Sequence, residues 1–171
     1  MKDNILLIGF MGVGKGSIAR AFAKEYGIYN IDTDDLIESK ENKTIIKLFE
    51  KFGESYFREK EQETANWLES SVKKTLISCG GGFYKVNNIN KIGKVILLDA
   101  SFEWIYNRLK NAKNAEAKLA KRPLFKDLKR AKELYKERKK AYKEVADFII
   151  KVEDKKDKEI IKELAKIAKV K

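Results

Sequence analysis

The feature that most constrains this chain is a glycine-rich turn, Gly9-Phe10-Met11-Gly12-Val13-Gly14-Lys15-Gly16-Ser17, set between an apolar run and a helical pattern. Asn4 to Phe10 shows no polar alternation, as expected of a strand buried on both faces of a parallel sheet. Beyond the turn, Ile18, Phe22 and Tyr26 recur every four residues, and Gly27 stands where such a helix ends. Strand, glycine turn and helix opening in that order form the context of a phosphate-binding loop. Backbone N–H groups freed by the glycines curl into an anion-binding nest, and the helix N-terminus adds partial positive charge. Lys15 supplies an ammonium for β- and γ-phosphates. A glycine turn without a ligand is the competing reading, and the Gly9-to-Gly14 spacing with Lys15 argues against it.

The loop departs from the common pattern at one place. A Ser or Thr normally follows the lysine and binds Mg²⁺; here Gly16 follows it, and the hydroxyl comes at Ser17. One residue along a helix is a turn of roughly 100°, so Ser17 does not simply take over that ligand position. Either Mg²⁺ keeps an extra water, which it tolerates well, or Ser17 touches a phosphate. The Gly-Lys-Gly-Ser ending resembles that of adenylate kinases, which have Gly-Lys-Gly-Thr.

Composition narrows the chemistry. The chain has 171 residues, no His and one Cys. A Ser-His-Asp triad, a His-ligated metal, an internal disulfide and a Cys-rich zinc site are therefore excluded. Any general base is a carboxylate, Lys, Tyr or the lone thiol. The length fits one domain, 1–171. No apolar run approaches the roughly 20 residues of a membrane span, and the N-terminus lacks the pattern of a signal peptide, so a soluble cytoplasmic protein is expected. The net charge is +12, of which residues 101–171 carry +11. A solvated Lys-rich helical surface explains this as well as an approach to phosphate or nucleic acid does. No strip of interleaved aromatic and basic residues supports nucleic-acid binding.

Further strands are expected over Ile28–Asp32, Thr75–Ser78, Lys94–Asp99 and Phe148–Val152. Helices are expected over Asp34–Ser39, Thr44–Phe52, Glu54–Ser71, Phe102–Lys110, Asp127–Val145 and Lys155–Val170. Asn111–Lys121 is polar and weakly helical, and Lys110–Lys121 is expected to be a mobile surface segment. Strands alternating with helices imply an α/β fold with a mostly parallel sheet.

Three further places carry chemistry. Asp32-Thr33-Asp34 falls at the carboxyl end of the second strand, where ligands bind in open α/β sheets. Alternate residues of an extended segment share a face, so both carboxylates can serve one site, one suiting a Mg²⁺–water shell and the other a substrate hydroxyl. A helix N-cap cluster is the plainer alternative. Cys79-Gly80-Gly81-Gly82 follows the third strand, and its glycines allow close approach of backbone and ligand; Cys79 is expected to be a small buried hydrophobe. Arg58, Arg122 and Arg138 would not stand out in isolation.

Taken in order, these pieces resemble the shikimate kinase family. The matching motifs are Gly9 to Lys15, Asp32-Thr33-Asp34, Phe57-Arg58 with Glu61, Gly80-Gly81-Gly82, Arg122-Pro123-Leu124, and Arg138 with Tyr142 to Asp147. The resemblance implies a three-layer P-loop kinase of the nucleoside-monophosphate-kinase-like fold. A five-stranded parallel sheet would be flanked by helices, with a substrate region at about 33–61 and a lid at about 111–124. It implies transfer of the ATP γ-phosphoryl group to the 3-hydroxyl of shikimate, with Mg²⁺ and without nucleic acid, membrane or a required partner subunit. By position, Gly12, Val13, Gly14, Lys15, Gly16, Ser17, Arg108 and Arg122 would hold ATP. Lys15, Asp34 and Arg122 would be catalytic, and Asp32, through water, and Ser17 would serve the metal. Asp34, Phe49, Phe57, Arg58, Gly80, Gly81, Gly82 and Arg138 would meet shikimate, the two arginines gripping its carboxylate. Gly16 stands where the family usually has Ser, the Arg108–Arg122 stretch looks longer than the usual lid, and Lys139-Lys140 replaces a more typical Asn-Pro or Ser-Pro. Another small-molecule or nucleoside monophosphate kinase of the same fold is the alternative.

Overall fold

Five short strands form one parallel sheet in the order β2-β3-β1-β4-β5. The computed structural model describes residues 3–113, 115–120 and 123–170. The strands are β1 (Asn4–Ile8), β2 (Asn30–Asp32), β3 (Leu76–Ser78), β4 (Gly93–Asp99) and β5 (Phe148–Lys151). Helices α1 (Lys15–Tyr26), α2 (Thr33–Glu41), α3 (Ile45–Ser71), α4 (Ile89–Ile92), α5 (Phe102–Lys110), α6 (Ala115–Ala120), α7 (Leu128–Val145) and α8 (Asp157–Ala168) intervene. Short 3₁₀ turns cover Phe83–Lys85 and Pro123–Lys126.

Every residue of β1 is buried, which is why its sequence carries no polar alternation. The main core joins Ile5, Leu6, Leu7 and Ile8 to Leu76, Ile77, Val95 and Ile96, with Phe22 and Ala19 of α1 on one side. The polar Asn4 survives in this core because its amide is fully used. It donates to the carbonyls of Val72 and Ile92 at 2.7 and 3.0 Å and accepts from the Thr75 N–H at 3.1 Å. The amphipathic α8 buries Ile160, Ile161 and Leu164 and packs on α1. At the sheet edge, β5 leaves Phe148 and Ile149 exposed. No described helix is long and apolar enough to cross a membrane.

Two features place the site. Phe10, at the start of the glycine turn, meets Phe102, Phe125 and Tyr135 edge-on, with ring centroids 5.4–6.4 Å apart. Tyr135 also donates to the Ala100 carbonyl at 2.7 Å, so α7 is fixed against the carboxyl end of β4. A smaller core of Ile37, Leu48 and Phe57, with Ile45, Phe49 and Tyr56 packed on it, holds α2 against α3.

The long α3 is broken as the sequence indicates. Gly53 has φ 80° and ψ 177°, separating the Thr44–Phe52 and Glu54–Ser71 segments. Only glycine occupies that region without strain, and nothing lies within 4 Å of a Cβ added there. Gly53→Ala is therefore expected to destabilise by roughly 1–3 kcal/mol through backbone strain alone, seen as a fall in Tm. An unchanged Tm would show that the kink is not fixed by Gly53.

Candidate active site

The glycine turn closes on β4 and α5. Gly9, at φ 143°, runs so near β4 that a Cβ would stand 2.6 Å from the Leu98 carbonyl oxygen. Gly14, at φ 112°, is the N-cap of α1, and this left-handed conformation turns the chain into the helix. Lys15 Nζ donates to the carbonyl of Gly9 at 2.7 Å, folding its ammonium back over the loop. Arg108, the last-turn arginine of α5, donates from Nη1 to the Gly12 carbonyl at 3.1 Å and lies over the Trp104 ring. The structure thus brings the sequence-derived loop residues Gly12, Val13, Gly14 and Lys15 together with Arg108.

Position 16 faces inward and position 17 outward. A Cβ at Gly16 would lie 3.8 Å from both Asp32 Oδ2 and Ser78 Oγ, and 3.2 Å from Arg20 Nη1. Ser17 is exposed on the neighbouring side of the first turn. Asp32 serves two ends: its Oδ1 accepts the Asp34 N–H at 3.0 Å and caps α2, while Oδ2 turns towards the loop. The N-cap and the site readings of Asp32 are therefore compatible. An all-oxygen set, with one carboxylate, one hydroxyl and a phosphate-binding loop beside it, suits a hard cation such as Mg²⁺. Among the described residues no cluster of three or more His, Cys, Asp or Glu forms a self-contained metal cage.

Beside the loop, three consecutive glycines after β3 organise a second group of charged side chains. A Cβ added to Gly80 would collide with Asp34 Oδ1, one on Gly82 would collide with Arg58 Nη1, and one on Gly81 would stand 3.0 Å from Arg138 Nη1. Each glycine makes room for one charged group. The turn is further pinned by Thr33, whose buried hydroxyl accepts the Gly80 N–H at 2.8 Å. The Gly81 carbonyl accepts from Tyr142 Oη at 2.7 Å and Arg138 Nη1 at 3.2 Å, one turn apart on α7. Cys79 is buried and its thiol is pushed up by burial, consistent with a packing role.

Arg58 is held on α3 by two carboxylates, Glu54 one turn before it and Glu61 three residues after it. Glu61 is buried, and burial pushes its carboxyl up while Arg58 opposes the rise. Two buried polar atoms here have no hydrogen-bond partner among the described residues, Glu61 Oε1 and Arg138 Nε. Such orphans are uncommon among buried polar groups. Phe57 is buried and Phe49 lies beside it, ring centroids 4.9 Å apart, so both floor this region from the small core. Arg122 lies outside the described residues, as does Asn114 of the 111–124 stretch, in which α6 occupies Ala115–Ala120. Sequence reasoning assigned no site role to Thr33, Glu54, Glu61 or Ser78. The spacing of Glu54 and Glu61 from Arg58 on one helix face was the available signal.

Asp34 is the perturbed acid. Burial raises its pKa from 3.8 to about 7, Asp32 and Glu61 add to the rise, and Lys15 opposes it. Between those values the folded chain keeps a proton that the unfolded chain has released, so stability falls as pH rises through that window. Asp34→Asn, neutral throughout, is expected to melt higher than the parent above about pH 7, by at least roughly 3 °C. The two should converge below about pH 4. A melting difference independent of pH would show that Asp34 is not held protonated by its surroundings.

Comparison with known proteins bears on all of this. The family model for shikimate kinase matches residues 11–169. The shikimate kinase of Helicobacter hepaticus is 43% identical over 148 residues, 86% of each chain. That of Sulfurihydrogenibium sp. is 37% identical over 168 residues, 94% of this chain and 95% of its own. Among solved structures, shikimate kinase from Aquifex aeolicus superposes with a TM-score of 0.75 at 33% identity, covering 96% of this chain and 95% of that one. Shikimate kinase from Acinetobacter baumannii in complex with shikimate gives 0.75 at 29% identity, covering 96% and 92%. A match that runs almost from end to end in sequence, and again in fold, leaves one assignment: the chain belongs to the shikimate kinase family.

Proposed function

We propose that this chain moves the γ-phosphoryl group of ATP to the 3-hydroxyl of shikimate, giving shikimate 3-phosphate and ADP on the route to chorismate and the aromatic amino acids. The observation that carries the reading is the triple-glycine turn, which seats a carboxylate and two guanidinium groups on consecutive residues beside a phosphate loop. An acid acceptor needs a fixed cationic fork, and arginine offers bidentate geometry that lysine does not. Arg58 and Arg138 fit that task, and the orphan N–H of Arg138 is one donor for it. A nucleoside monophosphate acceptor would leave Asp34 at Gly80 without an equivalent alcohol to serve.

In this reading the loop amides and Lys15 hold the β- and γ-phosphates, and Arg108 flanks the nucleotide. The acceptor hydroxyl lies against Asp34. Its oxygen bonds to phosphorus as the bond from phosphorus to the departing ADP oxygen breaks, and Asp34 takes the hydroxyl proton. A carboxylate raised to about 7 is matched to that proton transfer near neutral pH. Asp32, with Ser78 near it, would hold Mg²⁺ through water. The ion, when bound with the nucleotide, supplies charge neutralisation between the phosphates. Ser17 is the less favoured ligand because it is exposed, whereas the position that borders Asp32 is Gly16. Residues 1–171 act as one kinase unit, with the acceptor region at about 33–61 and a lid at about 111–124 that carries Arg122 to the phosphates and excludes water. The enzyme is read as a cytoplasmic monomer.

The direct test is ADP release from Mg-ATP with and without shikimate. Release that requires shikimate is expected; release driven by AMP instead would move the acceptor assignment. Lys15→Ala is expected to lower kcat by roughly 10²–10³-fold, the scale for removing one preorganised charge donor. Near-normal turnover would remove Lys15 from the phosphate site. Arg138→Ala is expected to raise KM for shikimate by roughly 10–100-fold, and a change confined to ATP would place Arg138 on the nucleotide side.

A further inference from the structure

Arg58 does not stand open for an incoming acid. Glu54 Oε1 accepts from Arg58 Nη2 at 2.8 Å and from Nε at 3.1 Å, so one carboxylate oxygen already closes the side-on fork of the guanidinium. Glu61 accepts from Nη1 on the other side. These are donors that a bound carboxylate would use for bidentate recognition.

The two glutamates are not equivalent. The Glu61 side chain is 1% exposed and is fixed in place, whereas that of Glu54 is 61% exposed. Glu54 also opens the second segment of α3, directly after the break at Gly53, so a change of its own side-chain rotamer into solvent is enough to release Arg58. Occupancy gives the same answer. The Nε–Nη2 edge that a bidentate acid would take is filled by Glu54, so an acid enters that edge only if Glu54 leaves it, and Glu54 is the exposed one of the two glutamates.

We propose that Glu54 is an internal competitor for the acceptor's carboxylate: it occupies the Arg58 fork in the free enzyme and is displaced when the acid binds, so that it sets acid affinity and selectivity. The inference rests on the acid acceptor proposed above. Weak anions, which cannot match a covalently tethered carboxylate, are excluded from the fork, while a bidentate acid held also by Arg138 and the glycine turn displaces Glu54.

This assigns Glu54 a positioning role with a sign opposite to that of a simple brace. If Glu54 only steadied Arg58, removing it would weaken acid binding. As a competitor, its removal strengthens binding. The experiment is calorimetric titration of the parent, Glu54→Gln and Glu54→Ala with shikimate and with its uncharged carboxamide, alongside KM and kcat. Both variants are expected to bind shikimate roughly two- to fivefold more tightly, the scale of an exposed ion pair. The change should appear in KM for the acid rather than in kcat, and the carboxamide should show no such gain. Unchanged or weaker shikimate binding in both variants overturns the proposal, as does an equal gain for the carboxamide. If the parent and both variants all fail to bind shikimate, the acceptor assignment falls and this proposal with it; binding by the parent without a gain in the variants removes the competitor alone.

Discussion

The site depends on a close approach that only an absence of side chains permits. Asp34 comes from the start of α2, Arg58 from the middle of α3 and Arg138 from the distant α7. They converge because Gly80, Gly81 and Gly82 each leave a Cβ-sized space that one of them fills. The backbone angles there do not demand glycine, since none of the three has a positive φ. The requirement is steric. It turns a strand-end loop into a seat for one acid and two bases, and the hydrogen bonds from Thr33 and Tyr142 keep that seat from shifting.

The phosphate loop obeys a different constraint. Gly9, Gly12 and Gly14 all have positive φ, and the close neighbours of Gly9 and Gly12 are β4 and α5. Here conformation and space act together. The contacts of Phe10 with Phe102, Phe125 and Tyr135 then tie this loop to the base of α7, whose next turns carry Arg138 and Tyr142. The two halves of the site thus share one aromatic cluster, so movement of α7 relative to β4 would be felt on both.

Much of this was legible in the sequence because it rests on glycine, on hydrophobic period and on spacing. The buried β1, the five strands and the break of α3 at Gly53 follow from apolar runs and punctuating glycines. The motif Asp32-Thr33-Asp34 located the acid pair and offered a helix cap as the alternative, but not that Asp32 does both, capping α2 with one oxygen and facing Gly16 with the other. Glu54 and Glu61 were harder to assign, because a glutamate one turn from an arginine is an ordinary feature of a solvated helix. What distinguishes them is that Glu61 is buried and Arg58 leans on Gly82, and both facts are tertiary. The parts played by the Thr33 and Ser78 hydroxyls were unreadable for the same reason: a hydroxyl acquires a role only from the strand that ends beside it.

Position 16 shows how such tertiary context redistributes a function. A Ser there would project into the space between Asp32 and Ser78, adding a hydroxyl to a carboxylate and a hydroxyl already present. With Gly16 that space is bordered instead by the Arg20 guanidinium, a flexible group on the next turn of α1. Removing one oxygen from an all-oxygen shell costs Mg²⁺ little, because water replaces it readily and the ion keeps much of its hydration in nucleotide sites. The Arg20 charge beside Asp32 acts against a bound cation, however, while it favours phosphate. In the proposed kinase reading, the balance of these two effects, rather than the missing hydroxyl alone, would set how tightly this loop holds the metal–nucleotide pair compared with one that carries Ser at that position.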